Sequence, residues 1–167
     1  MLSAPRNTGF TLIELLITMV VLGIIAGIGV PSLQNYILQT RVKTGSQALY
    51  TSLLYARSEA LKRNVSIYIN PADSGDWEDG WAVTTGAAKS YEDCVSDQSG
   101  CLRMQEPLPG MAITTAAGGV QYENDGRVAA TATFDVCDAD GSSAVRKRVI
   151  SMSLTGRPTL DYDGQCS

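Results

Sequence analysis

Between Phe10 and Val30 the sequence "FTLIELLITMVVLGIIAGIGV" is an almost unbroken apolar run, interrupted only by Thr11, Glu14 and Thr18. A helix of that length spans about 30 Å, the hydrocarbon thickness of a bilayer. A secretory signal peptide has a shorter apolar region, carries no acidic residue there and is followed by a small-residue cleavage site. Here the helical pattern continues past Pro31 instead. The run therefore predicts a transmembrane helix, and Glu14 becomes the anomaly. A carboxylate in such a span costs about 2.5–3.5 kcal/mol on insertion scales. No basic residue lies within the segment, and Arg6 stands eight residues upstream. Either the carboxylate reaches the headgroups or takes up a proton, or it awaits a partner from elsewhere.

The remaining totals narrow the field. A chain of 167 residues has room for one domain plus a helix. A net charge of −4 argues against non-specific nucleic-acid binding, which uses a basic face. The absence of histidine excludes a histidine-based nucleophile relay or histidine metal site. Cys94, Cys101, Cys137 and Cys166 all follow the apolar run and predict two disulfides in an oxidising compartment. Residues beyond the span then lie outside the cytoplasm. Three pairings are possible, of which Cys94–Cys101 with Cys137–Cys166 is preferred. Zinc is the competing reading, weakened by the lack of a close Cys-x-x-Cys pair. No metal or other cofactor is expected.

From Ser32 to Asn64 the pattern stays helical. Val42, Gly45, Leu49, Leu53, Ala56 and Ala60 step by three or four into one stripe, with Tyr50, Leu54, Arg57 and Leu61 beside it. Glu59 precedes Lys62 and Arg63 at helical spacing, predicting modest surface ion pairs. Strand signals follow: Val65, Ile67 and Ile69 on one face, then a turn with Trp77 and Trp81, then Met111–Thr115, Val120–Tyr122 and Arg127–Asp138. In the last of these Val128, Ala130, Ala132, Phe134 and Val136 share a face. The final strand, "RVISMSLTG", places Ile150, Met152 and Leu154 inward, with Arg146 and Arg148 at the sheet's rim. The tryptophans are expected to cover the sheet or core, with ligand stacking the alternative. "SYEDCVSDQSGCLRM" reads as a polar loop and "NDGR" as a turn. "DADG" reads as a turn, with calcium ligation the alternative. The whole predicts an α+β fold with one long helix and segregated antiparallel strands. Cys166 staples the polar tail, and closing a loop of about 30 residues contributes about 3 kcal/mol.

"TGFTLIELL" resembles the processing site of type IV prepilins and pseudopilins. "YARSEA" at Tyr55–Ala60 and the Trp77–Trp81 turn resemble the FimU, FimT and GspH group within that family, most of all FimU. The resemblance implies the type IV pilin-like fold and a peptidase that cuts between Gly9 and Phe10 and methylates the new amine. Glu14 then becomes the fifth mature residue, and its counterpart is the Phe10 amine of its own or a neighbouring subunit. A buried charge pair of that kind needs both members, which makes it a register check during assembly. The implied organisation is a leader at 1–9, a transmembrane or filament-core helix half at 10–30, an amphipathic half at 31–64 and a periplasmic β-rich domain at 65–167. Gly23, Gly27, Gly29 and Pro31 weaken helix at the end of the span. They are packing residues of a membrane helix or, by resemblance, a stretch that melts on entering a filament.

No nucleophile motif, phosphate loop or metal cluster points to an enzyme. The resemblance implies a minor pilin that helps initiate a type IV pilus, held first in the bacterial inner membrane and then in the pilus. Its partners would be the prepilin peptidase, the major pilin and other minor pilins. A type II secretion pseudopilin is the alternative. A third reading is a DNA receptor with a glycine-arginine-x-arginine motif. Here that motif is Gly156-Arg157-Pro158-Thr159, which keeps Arg157, lacks the second arginine and is followed by Asp161 and Asp163, so nucleic acid is not an expected partner.

Overall fold

The computed structural model describes residues 10–86 and 89–166, so Gly9 and the leader lie outside the described residues. Helix α1 (Leu12–Arg63) covers both the apolar run and its amphipathic continuation. Packing divides the chain into two units at Ile37/Leu38. In the first, every side chain described from Phe10 to Ile37 is exposed, Leu12, Ile17, Leu22 and Ile28 among them. Its apolar run, 10–30, has no core face of its own and is long enough to cross a membrane.

The second unit buries its apolar residues. Two four-stranded antiparallel sheets build it. The first has the order β3 (Cys101–Gln105), β2 (Trp81–Thr85), β1 (Ile67–Pro71), β5 (Val120–Tyr122); the second has β4 (Met111–Thr114), β6 (Ala132–Asp138), β7 (Arg146–Met152), β8 (Pro158–Gln165). Val42, Leu49, Leu53, Ala56 and Ala60 of α1 join Ile67, Ile69, Trp77, Trp81, Phe134, Val136 and Ile150 in one core. Gly45 completes the helix stripe because a Cβ there would overlap the Met111 side chain, so its absence lets helix and β4 approach. The helix ends as Asn64 takes the left-handed conformation at φ 55°, a geometry asparagine tolerates, and Asn124 donates a hydrogen bond to its side chain.

Disulfides join Cys94 to Cys101 and Cys137 to Cys166. The second ties the chain just past the end of β8 to β6. Around the first, the stretch expected to be loop contains a short helix, α2 (Tyr91–Ser96). Ser90 caps it by accepting from Asp93 N–H while the Asp93 carboxylate accepts from Ser90 N–H.

Several expectations need correction. Residues 127–131 are not strand: Val128 bridges to Tyr122 of the first sheet, and a bend at Ala129–Ala130 carries the chain to the second. Ala130 is consequently exposed rather than inward. Leu154 is 48 % exposed, because β7 ends at Met152 and the residue sits in the turn closed by Gly156 N–H to Ser153 C=O. Val65 precedes β1 and is exposed as well. In the second helix stripe Leu54 and Leu61 face solvent, and the covered flank is instead the one carrying Ser52 and Glu59. Arg148 is buried rather than at the rim.

Candidate functional site

The head of α1 is built by two reciprocal hydrogen bonds. Thr11 N–H donates to Glu14 Oε2 at 3.5 Å, and Glu14 N–H donates to Thr11 Oγ1 at 3.3 Å. This is a capping box: residues Thr-x-x-Glu satisfy two of the backbone donors that every helix start leaves open. The signal for it in the sequence is "TLIE", a hydroxyl residue three before an acid. Glu14 also sits where the helix dipole favours a negative charge. The carboxylate thus has a local partner, and that partner holds it beside the backbone of Thr11, one residue from Phe10. Chemically the arrangement presents an anion at the point where a cut between Gly9 and Phe10 would create a cation.

The glycines further along meet no packing partner among the described residues. Residues 23–31 are helical, and a Cβ added at Gly23, Gly27 or Gly29 would meet no atom within 4 Å. Packing among the described residues therefore does not account for them.

In the domain, the residues singled out from sequence are mostly structural. Trp77 and Trp81 are buried, and Trp77 donates from Nε1 to the Ala117 carbonyl at 3.1 Å and meets Phe134 edge-on at 4.9 Å. Neither ring is open to stack a ligand. Asp138 of "DADG" accepts from Ser142 N–H with both carboxylate oxygens, at 3.2 and 3.0 Å, and so closes a turn. Gly156 is buried at φ 71°, and a Cβ there would overlap the Gly126 carbonyl. That contact fixes the turn that Arg57 clamps from the helix, donating from Nε to Gly126 C=O and from Nη2 to Thr155 C=O. Arg157 follows on the exposed side at the entry to β8.

Glu59 was expected on the surface, yet it is only 6 % exposed. It accepts from Arg63 Nε at 2.5 Å, with Lys62 Nζ at 3.6 Å. The Arg63 hydrogen bond holds its carboxyl below the usual carboxylate range. On the outer face of the second sheet Lys147 bridges Asp135 and Asp163, and the bond to Asp135 raises its pKa.

A bare apolar helix opened by a threonine–glutamate box, followed by disulfide-tied antiparallel sheets around its amphipathic part, defines a pilin-like subunit. Comparison with known proteins agrees. Residues 45–156 match the family described as Type II transport protein GspH, and residues 5–30 match the prokaryotic N-terminal methylation motif. A "Fimbrial protein" of Pseudomonas aeruginosa is 30 % identical over 125 residues, covering 71 % of this chain and 80 % of that protein. The type IV minor pilin FimU of Pseudomonas aeruginosa superposes with a TM-score of 0.61 at 20 % identity, covering 77 % of this chain and 96 % of that one. EpsH, a minor pseudopilin of the Vibrio cholerae type 2 secretion system, gives 0.53 at 12 % identity over 74 % and 97 %. At those identities the two structures speak for the fold. The chain belongs to the GspH family of minor pilins and pseudopilins.

Proposed function

We propose that this protein is a minor pilin that enters a type IV pilus and helps to start its assembly, as part of a tip or priming complex. The observation that carries the reading is the first unit of the chain. Residues 10–30 form an almost unbroken apolar run, every described side chain from 10 to 37 is exposed, and the run is headed by a carboxylate held beside the future N-terminus. A single subunit leaves that surface to lipid, and a bundle of like helices can bury it. In this reading the prepilin peptidase cuts between Gly9 and Phe10, and the Phe10 amine pairs with Glu14 in its own or a neighbouring subunit. The disulfide-tied domain lies on the periplasmic side of the inner membrane until the subunit is drawn into the filament. Other minor pilins and the major pilin are the partners. The glycines at 23, 27 and 29, with Pro31, supply the stretch that loosens on that move, which fits their lack of packing partners in the subunit.

The fold shared with a secretion pseudopilin supports a second reading, the equivalent role in a type II secretion system. Deletion of the gene separates the two. Loss of surface pili and twitching with secretion intact supports the pilus, and the reverse supports the secretion system. Within either, Glu14→Ala is expected to insert in the membrane and to be lost from purified filaments. Recovery of that variant in filaments at the parental level would remove the pairing of Glu14 with the amine.

A further inference from the structure

The end of the domain nearest in sequence to the apolar segment carries positive charge that neither the core nor the assembly reading uses. Arg146 and Arg148 lie two apart on β7, and both guanidiniums stack on one ring, that of Tyr162 on β8, at 5.1 and 4.4 Å from its centroid. Arg148 also donates to the Tyr162 hydroxyl. It is 7 % exposed. A guanidinium covered to that degree ordinarily faces a carboxylate. Among the described residues none lies within 4.0 Å of Arg148 or Arg146.

The nearby acids are engaged or turned away. Asp138 closes its turn with Ser142, and Asp135 and Asp163 hold Lys147. Asp161 alternates with Tyr162 to the opposite face of β8, and Asp140 is exposed in the turn after β6. A third cation joins from the helix. The Arg41 guanidinium lies against Gly110, where an added Cβ would overlap it, and the Gly110 carbonyl accepts from Ala139 N–H just past the end of β6. The three arginines therefore stand at one end of the second sheet, and among the described residues no carboxylate lies within 4.0 Å of any of them.

Position in the chain indicates what does balance them. Gln39 Nε2 donates to the Ala144 carbonyl at 3.1 Å, two residues before Arg146, and this ties the cluster to the helix at residues 39–41. Only ten residues separate Val30, the close of the apolar run, from Arg41. With the run in a bilayer, a tether of that length keeps Arg41 within reach of the headgroups. A chain of net charge −4 is repelled by an anionic surface as a whole, so a local patch of opposite sign sets the contact. We propose that Arg41 and Arg146 bind the phosphate groups of anionic phospholipids and hold the domain down on the membrane before assembly. Arg148 and Tyr162 fix the geometry, and Arg41 and Arg146 meet the lipid. The proposal rests on the membrane-anchored reading above.

The test uses the full chain in phosphatidylcholine vesicles containing a dansyl-headgroup lipid, with and without phosphatidylglycerol. The chain's two tryptophans, Trp77 and Trp81, both lie in the domain, so energy transfer to dansyl reports its approach to the surface. Phosphatidylglycerol is expected to raise transfer, and added salt to reverse the rise. Arg41 and Arg146 are exposed, so Arg41→Gln with Arg146→Gln leaves the core alone. Each change is expected to weaken surface binding about fivefold, the worth of one basic residue at an anionic surface. Lys62→Gln, at the other end of the helix, is expected to change nothing. Equal transfer in both lipids, or an unchanged rise in the double variant, overturns the proposal. So does abolition by millimolar inorganic phosphate, which marks a free-anion pocket, or a double variant that loses only its association with a second subunit. If the parental chain fails to float with any vesicle, the anchored reading fails first and this one with it.

Discussion

Residues 10–37 and the domain from Leu38 onward share helix α1, yet they use apolar residues in opposite ways. Before Ile37 the leucines and isoleucines point in every direction and none is covered. After it they fall into a stripe stepping by three and four, and Val42, Leu49 and Leu53 are almost wholly buried. A stripe implies a partner already present in the fold, whereas an all-round apolar surface implies a solvent or partner outside it. The charges divide the same way. Glu59, in the domain, has its arginine four residues on. Glu14, in the bare segment, accepts among the described residues only from the Thr11 backbone N–H, and in the proposed function its full counterpart comes from processing or from a neighbour.

Paired substitutions test this contrast. Leu53→Ala should cost the domain about 2–5 kcal/mol, the usual penalty for a cavity in a closed core. Leu16→Ala should leave the domain's unfolding midpoint where it was, as followed by tryptophan fluorescence in denaturant. Equal effects would mean that the two units are not energetically separate. Next come the disulfides. Replacing Cys137 and Cys166 by serine opens a loop with a sequence separation of 29 and should cost about 3 kcal/mol. The Cys94–Cys101 pair closes a separation of 7, and its loss should cost about 2 kcal/mol. Reversed magnitudes in chemical denaturation would show that α2, rather than the tail, depends more on its staple.

Smaller effects sharpen the picture. Thr11→Ala removes the helix cap and should cost about 1 kcal/mol locally, read as faster amide exchange at residues 12–15 with the domain unchanged. The pH dependence of Glu59 is smaller still. Its pKa is lowered in the folded state, so its contribution is fully present above the ordinary carboxylate pKa. It is lost as pH falls through the lowered value. Glu59→Gln should therefore flatten part of the acid limb of a stability–pH curve and leave the curve above neutrality unchanged in shape.

Much of this was legible in the residues. The length of the run, the stripe through Ala60, the strand centres and the turns at "NDGR" and "DADG" follow from periodicity and turn chemistry, and the structure has them. What escaped depends on tertiary neighbours. Ala130 alternates like a strand residue, but the chain changes sheets there, and no local pattern encodes the change. Arg148 has the parity of Ile150 and is covered like it, because a tyrosine on the next strand supplies a ring for the guanidinium to stack on. Charge alone placed it at the rim. The boxes at Thr11–Glu14 and Ser90–Asp93 were the recoverable misses, since a hydroxyl residue three before an acid is itself a helix-start signal.

Assembly as proposed requires that Glu14 end up beside a new amine. Intact mass and N-terminal fragment analysis of the protein taken from its host's filaments or membranes would decide it most directly. The predicted result is a chain beginning at Phe10 with one added methyl group. A chain still beginning at Met1, or one cut beyond Pro31, would contradict it.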